Sequence, residues 1–588
     1  MPTAETVTVA RVDSFLYISR QGRQLTSAGV VVRRAVICAL CAGFFAAPAA
    51  ASAAAPIRGQ TLLPGVVYSR QLEFTSHGPV VLHVIAAPKP TGLYALKPIL
   101  SNDAILGRER VTSMQRRFSG EATVAGVNGD LFSWTDGHPT GGLLRGGVLD
   151  SAPSDSRSTI GVDTDGMLHV ERVLLAGSWK GSGQRRVLGI NEPPRPNRTT
   201  LYTRAWGART PAENAGAQAI LQPFPAAKPN TPLTATVMGY VSGGNQSIPA
   251  DGAVLVARGA QAGFLSAEAP VGSTVTILLT LTPPWLNVPE AVGGGPIIVR
   301  NGKPVFRSFE LFSSDQLGPR NPRTGVGQLP DGRILLVAVD GRQPGYSTGL
   351  TNFELALTMM RLGCVTASAL DAGGSTTMAF DGKLLNRPSD PGGERSVAEA
   401  LTLFYYGVYA PALPSRVLSP NADGVDDTQT FAYKLVRPST VSATLNGPGG
   451  AVVSLDSGAR DPGVYRFNWD GAGQPEGPWT FRAIADDDLG RHSVADRQFA
   501  LNNTLGFLVA RTSHRRVTAT FKLARPARVA LRVETLAGGI VRTLPGRSLP
   551  AGDATISWRG RPGSYVFSVT ATGDVGAVEL AAPFRLRR

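Results

Sequence analysis

Cysteine is nearly missing from this 588-residue chain. There are three, and two of them, Cys38 and Cys41, sit in an N-terminal segment that reads as an export signal. Cys364 would then stand alone, so no intramolecular disulfide braces the rest. Its neighbours in RLGCVTA mark a buried structural thiol rather than a nucleophile. Aromatic residues make up 7% and charged residues 17%, with no long acidic or basic block. Gly (68) and Pro (44) are enriched, a mixture that favours strands and turns over long helices. The net charge of +15 comes from scattered residues, mostly Arg, with no basic helix and no zinc-knuckle spacing. Nucleic acid is therefore disfavoured against a basic exterior facing anionic wall polymers or simply Arg-rich codon usage.

No apolar stretch reads as a membrane span. AVICALCAGFFAAPAA is too short, and too rich in Ala and Gly, for a stable transmembrane anchor. Preceded by Arg33 and Arg34 and followed by the small residues Ala51 and Ala53, it has the order of a cleaved signal. A secreted or extracytoplasmic bacterial protein is expected, mature from about Ala50 to Ala55. Some thirty unpatterned residues precede the signal, which suggests a true start near Val30 to Val32; an uncleaved anchor is the competing reading.

The length implies three or four units. Residues 1–55 are assigned to the extension and signal, 56–410 to a catalytic domain, and 411–502 and 503–588 to two further modules. In the catalytic part, GRILLVAVDGR reads as a buried strand. The helix STGLTNFELALTMMRLG follows, with a capping box between Thr351 and Glu354 and Gly363 at its exit. VTASALD is then a strand that delivers Asp371 to its end, and TTMAF-DG-KLL a hairpin about Asp381–Gly382. Strand, helix, strand is a crossover, so the expected fold is an α/β catalytic domain with a mixed sheet. Past Tyr409 the pattern is all-β and repeats. FAYKLVRPSTVSATL recurs as FKLARPARVALRV, and Trp469–Gly471 as Trp558–Gly560, at a period of roughly ninety residues typical of one immunoglobulin-like sandwich.

Four clusters pair glycines with polar residues in a way that a core does not require. They are N-G-D-L-F from Asn128, G-G-G-P-I-I-V-R-N-G from Gly293, N-P-R-T-G-V-G from Asn321, and L-D-A-G-G-S-T-T from Leu370. N-R-P-S-D and E-R-S lie downstream, with Asn386, Asp390, Glu394 and Arg395. Glycine turns let backbone N–H groups approach an anion, Arg offers a planar fork for phosphate, and an Asp at a strand end can act as base or nucleophile. Each cluster alone is equally a tight bend or a capped turn.

Their order closely resembles the phosphodiester glycosidase family, from about Ala122 to Tyr406. That family includes an enzyme that removes N-acetylglucosamine from a phosphodiester on mannose. The resemblance implies a hydrolase that cuts a sugar-1-phosphodiester in a cell-wall or extracellular glycan. Asp371, Asn128, Asp130 and Ser375 become the catalytic candidates; Arg323 and Arg395, with Gly293, Gly294, Gly295, Gly373 and Gly374, become the phosphate-binding ones. Whether Asp371 is base, nucleophile or metal ligand stays open, and no catalytic cofactor is assigned. Two departures stand out: Ala372 replaces a family glycine, and Asp130 adds a carboxylate. A wall-associated binding protein on a weakened scaffold, supported by Ala372, and a metal-dependent phosphoesterase or nuclease are the alternatives. The loop S-P-N-A-D-G-V-D-D-T resembles the opening of bacterial immunoglobulin-like domains, including those of flagellar hook-capping type. Asn421, Asp423, Asp426 and Asp427 place oxygens as a structural calcium ion would want them, or simply form an Asx-rich turn.

Overall fold

The computed structural model describes residues 59–213, 216–306 and 308–587; the export segment lies outside them. Among the described residues strands hold 52% and helices 7%. The α/β expectation is thereby overturned, and the reason is local. The helix Asn352–Arg361 does carry the chain from strand Ile334–Val339 to strand Thr366–Ala369, and the Thr351–Glu354 capping box that starts it is present. Those two strands run the same way but never touch. Arg323–Gln328 lies between them, antiparallel to both. A single crossover helix in a sheet whose neighbours are all antiparallel does not make a doubly wound domain.

That sheet has eight strands and is covered on both faces. On one face Ile334, Leu336 and Ala338 meet Val127, Met378 and Leu401 of a second, five-stranded sheet. On the other, Leu335, Val337 and Val339 pack under Leu355 and Met359 of the helix. Two buried faces explain why ILLVAV is apolar at every position instead of alternating. Cys364 lies in the helix-side layer, where burial pushes its thiol up to about 12. The Asp381–Gly382 hairpin is also present, both residues with positive φ.

Residues 174–282 form a closed seven-stranded barrel, with Trp179, Leu188, Ile277 and Leu279 filling its interior. Beyond Tyr409 come two all-β units with separate cores. Phe431, Tyr433, Trp479 and Phe499 lie in the first, and Phe521, Val533, Phe567 and Leu580 in the second. Among the described residues no helix is long and apolar enough to cross a membrane.

Candidate active site

Antiparallel pairing sets the position of the site. Strand Arg323–Gln328 begins at the edge where Ile334–Val339 and Thr366–Ala369 end. Thr123–Asn128 of the second sheet ends beside them, because the Asp371 N–H donates to Gly129 O (3.1 Å) and Asn128 Nδ2 donates to Asp371 O (2.9 Å). Asn128 is fully buried. Its Oδ1 also accepts from Thr324 Oγ1 (2.8 Å) and Thr377 N (3.1 Å), so it joins three strand ends and holds Asp371 in place.

A pocket of about 200 Å³ opens at this edge, lined by Asp371, Ala372, Gly373, Arg323, Arg342 and Asn321, among others. Asp371 is partly exposed at its floor. Burial of the carboxyl raises its pKa to about 6; the Ser375 hydroxyl and the Ala372 N–H lower it, Asp130 raises it, and Arg395 lowers it. A carboxylate poised near neutrality suits proton transfer. Ala372 has φ −120° and ψ −176°, an extended backbone that any residue adopts, so its methyl does not distort the turn.

The other candidates divide. Ser375 is fully buried and accepts from Arg395 Nη1 (3.3 Å). Arg395 grips Asp390 through Nε (2.8 Å) and Nη2 (3.0 Å), and its guanidinium lies 4.9 Å from the centre of the exposed Trp134 ring. Gly374 lets this ion pair pack against the turn, since a Cβ would come within 2.1 Å of both guanidinium and carboxylate and displace them. Asp130 is buried and paired with Arg157 at 2.6 and 3.0 Å, which removes it as a free carboxylate. Behind it the Asp130 N–H donates to Glu399 Oε1 (3.2 Å); burial, reinforced by Asp130, holds the Glu399 carboxyl well above its usual range.

Arg323 is not placed as a phosphate fork. It is 3% exposed and donates to the carbonyls of Leu350 (2.9 Å), Gln316 (2.7 Å), Leu317 (3.3 Å) and Pro319 (2.8 Å). Burial, then the neighbouring Arg342, lowers its pKa to about 10. The Gly293–Gly295 turn is likewise occupied. The Gly294 N–H donates to Ser158 O and the Gly295 N–H to Ala369 O, while Gly293 leaves room for the Asp130 carboxylate, 2.2 Å from where a Cβ would sit. The Gly373 N–H donates to Pro322 O. None of these three amides is left for an anion.

Sequence reasoning missed Arg342. It is exposed, with φ 56°; its Nε donates to Asn321 Oδ1 (2.9 Å), and Nη1 and Nη2 lie just over 3 Å from where a Gly373 Cβ would sit. The V-D-G-R run held the signal, since Arg342 follows a buried Asp at a strand end. That Asp340 accepts from His83 Nε2, Tyr346 Oη, Asn386 Nδ2 and Arg387 N at 2.9–3.1 Å, tying the Arg342 turn to the Asn386 segment. Trp134 and Arg157 were also missed; only contact with Arg395 and Asp130 marks them.

With this geometry in view, the chain can be set beside known proteins. Residues 231–404 match the phosphodiester glycosidase family model. The matched span holds Gly293–Gly295, Arg323, Arg342, Asp371–Ser375 and Arg395, and it supports a glycosidase-type function; Asn128, Asp130 and Arg157 lie outside it. The SPbeta prophage-derived uncharacterized protein YomE of Bacillus subtilis (strain 168) is 36% identical over 108 residues, 18% of this chain and 16% of that protein. A hypothetical protein from Synechocystis superposes with a TM-score of 0.50 at 24% identity, covering 60% of this chain and 64% of that one. The zebrafish N-acetylglucosamine-1-phosphodiester alpha-N-acetylglucosaminidase catalytic domain, auto-inhibited by its pro-peptide, aligns at 14% identity and a TM-score of 0.31, over 59% of this chain and 84% of that domain. The chain thus spans less than two thirds of both the curated relative and the Synechocystis structure.

The loop Asn421–Asp427 lies far from this edge in sequence and does not present a cation cage. Asp427 accepts from the N–H groups of Asn421 (3.0 Å), Ala422 (2.8 Å) and Gly424 (2.7 Å). Asp423 accepts from Val425 N (2.9 Å) and, across the module boundary, Phe507 N (2.7 Å). Asn421 Nδ2 donates to Leu505 O (3.3 Å), and Asp426 accepts from Ser415 Oγ (3.1 Å). Among the described residues no three His, Cys, Asp or Glu side chains converge as metal ligands. The residues of the suggested calcium loop hold it, and its junction with the next module, by their own hydrogen bonds.

Proposed function

We propose that the protein is an extracytoplasmic hydrolase that cleaves the glycosidic bond of a sugar-1-phosphodiester, with Asp371 as its catalytic carboxylate and Arg342 as its phosphate ligand. The supporting observation is the pairing of a carboxylate poised near neutrality with an exposed, Asn321-oriented guanidinium in one pocket. A phosphodiester is a good leaving group, so little general-acid help is needed. Arg342 takes up its charge; ionised Asp371 removes a proton from the attacking water or stabilises positive charge at the anomeric carbon. Asn128 and Ser375 position Asp371, and Trp134, held against Arg395, offers a ring face to a sugar. A binding-only role drew its support from Ala372, whose methyl the turn accommodates.

The bond broken distinguishes this reading from a phosphoesterase. In H₂¹⁸O, the label should enter the released sugar, leaving an unlabelled phosphomonoester on the aglycone. Label in the phosphate would mean phosphorus–oxygen cleavage and would end the glycosidase assignment.

A further inference from the structure

Beside the polar pocket lies a larger one of about 650 Å³, and the two share Pro296, Leu317 and Asn352 as a common wall. Phe306 and Phe353 stack across it with ring centres 4.2 Å apart, and Ile297 lines it as well. Several of its polar side chains are already engaged. Glu310 accepts from Ser158 N and Ile297 N, both at 2.8 Å; Thr351 Oγ1 accepts from Glu354 N; Ser308 Oγ accepts from Glu310 N. A sugar buried here would leave its hydroxyls short of partners, at a cost that an alkyl chain does not incur. Phe306 and Phe309, both on the pocket lining, remain 79% and 82% exposed, an arrangement that gains by being covered.

We infer that this pocket is the aglycone subsite and that it takes an apolar alcohol, a long alkyl or prenyl chain, on the far side of the phosphate from the sugar. The inference rests on the proposed phosphodiester reading for the phosphate's position at Arg342. Its occupant is set by continuity of the two pockets and by the exposed Phe306 and Phe309 rings on the lining of the larger one.

Binding can test it without turnover. Calorimetry with methyl, butyl and octyl phosphate, all monomeric, should show affinity rising about fourfold per buried methylene. Phe306→Ser combined with Phe309→Ser should remove at least tenfold of the octyl gain and leave methyl phosphate unchanged; both side chains are exposed, so the variant should fold. Equal affinity along the series would overturn the inference, as would a gain that survives the double variant. Affinity seen only with phospholipid vesicles would overturn it too, and would make this rim a membrane-facing surface. Should no sugar phosphodiester be cleaved while the chain-length gain persists, the glycosidase reading falls and the apolar subsite stands.

Discussion

Asp371 and Asp427 each lie within three residues of a turn glycine, Gly373–Gly374 and Gly424, yet the fold uses them oppositely. Asp427 has both oxygens taken by three backbone N–H groups of its own loop. Asp371 receives only the Ala372 N–H (2.8 Å) and the Ser375 hydroxyl, and faces a cavity. The same contrast separates Arg323, consumed by four carbonyls, from Arg342, whose Nε donates to Asn321 and whose fork, among the described residues, has no other hydrogen bond. A polar residue at a glycine turn is chemically available only when the turn's own backbone is satisfied elsewhere.

The contrast predicts its largest effect at Asp371. Asp371→Asn should lower kcat at least about a hundredfold, since a positioned acid–base group contributes 10²–10⁴. Wild-type kcat/KM should rise with pH through about 6 as the carboxylate ionises. The same variant should be more stable than wild type. With a folded pKa above the unfolded one, the wild type loses stability as pH rises from about 4 through about 6. Asn escapes that loss, by about 1–3 kcal/mol at pH 7 and by nothing at pH 4. Denaturant melts at the two pH values would check this, and a variant of unchanged rate would show that Asp371 is not the catalytic carboxylate.

Next in size is the pair of arginines. Arg342→Ala should raise KM about 10- to 100-fold, the worth of one charge-assisted hydrogen bond, and leave the melting temperature alone. Arg323→Met should do the reverse, costing about 1–3 kcal/mol of stability for stranded carbonyls. Interchanged outcomes, read by steady-state kinetics and thermal melts, would return the phosphate to Arg323.

A smaller effect is expected in the loop. Asp427→Ala should lower stability by about 1–3 kcal/mol by stranding three N–H groups. Calcium or a chelator should leave the melting curves of both proteins where they were. A rise with calcium in wild type, absent from the variant, would restore the cation site.

How much of this was legible in the sequence follows from range. The capping box, the Asp381–Gly382 hairpin and the delivery of Asp371 to a strand end are set by residues within a few positions of one another, and the structure has them. The all-antiparallel sheet was not legible, because Arg323–Gln328 enters between its neighbours from earlier in the chain and no local pattern marks that insertion. Nor was the Asp130–Arg157 pair, whose members are 27 residues apart and meet only through the fold. The choice between a calcium loop and an Asx-rich turn was not legible for another reason: an acceptor-rich turn has the same composition whether its oxygens face an ion or its own amides.

The smallest expected effect is at Ala372, where the chain departs from the family turn. Were positive φ needed there, restoring glycine would relieve strain and raise activity. The observed φ of −120° places alanine in ordinary extended backbone, with nothing to relieve. Glycine would add only freedom to the unfolded chain, so Ala372→Gly should lose about 0.4–1 kcal/mol of stability and keep kcat within about twofold. The adjacent Gly373, at φ 68° with the Arg342 guanidinium just over 3 Å from where a Cβ would lie, should behave otherwise: Gly373→Ala forces a strained backbone and crowds the proposed phosphate ligand. Measured together, the two substitutions test which residue of the turn requires glycine. A gain in activity from Ala372→Gly would mean that the working turn differs from the extended one seen here.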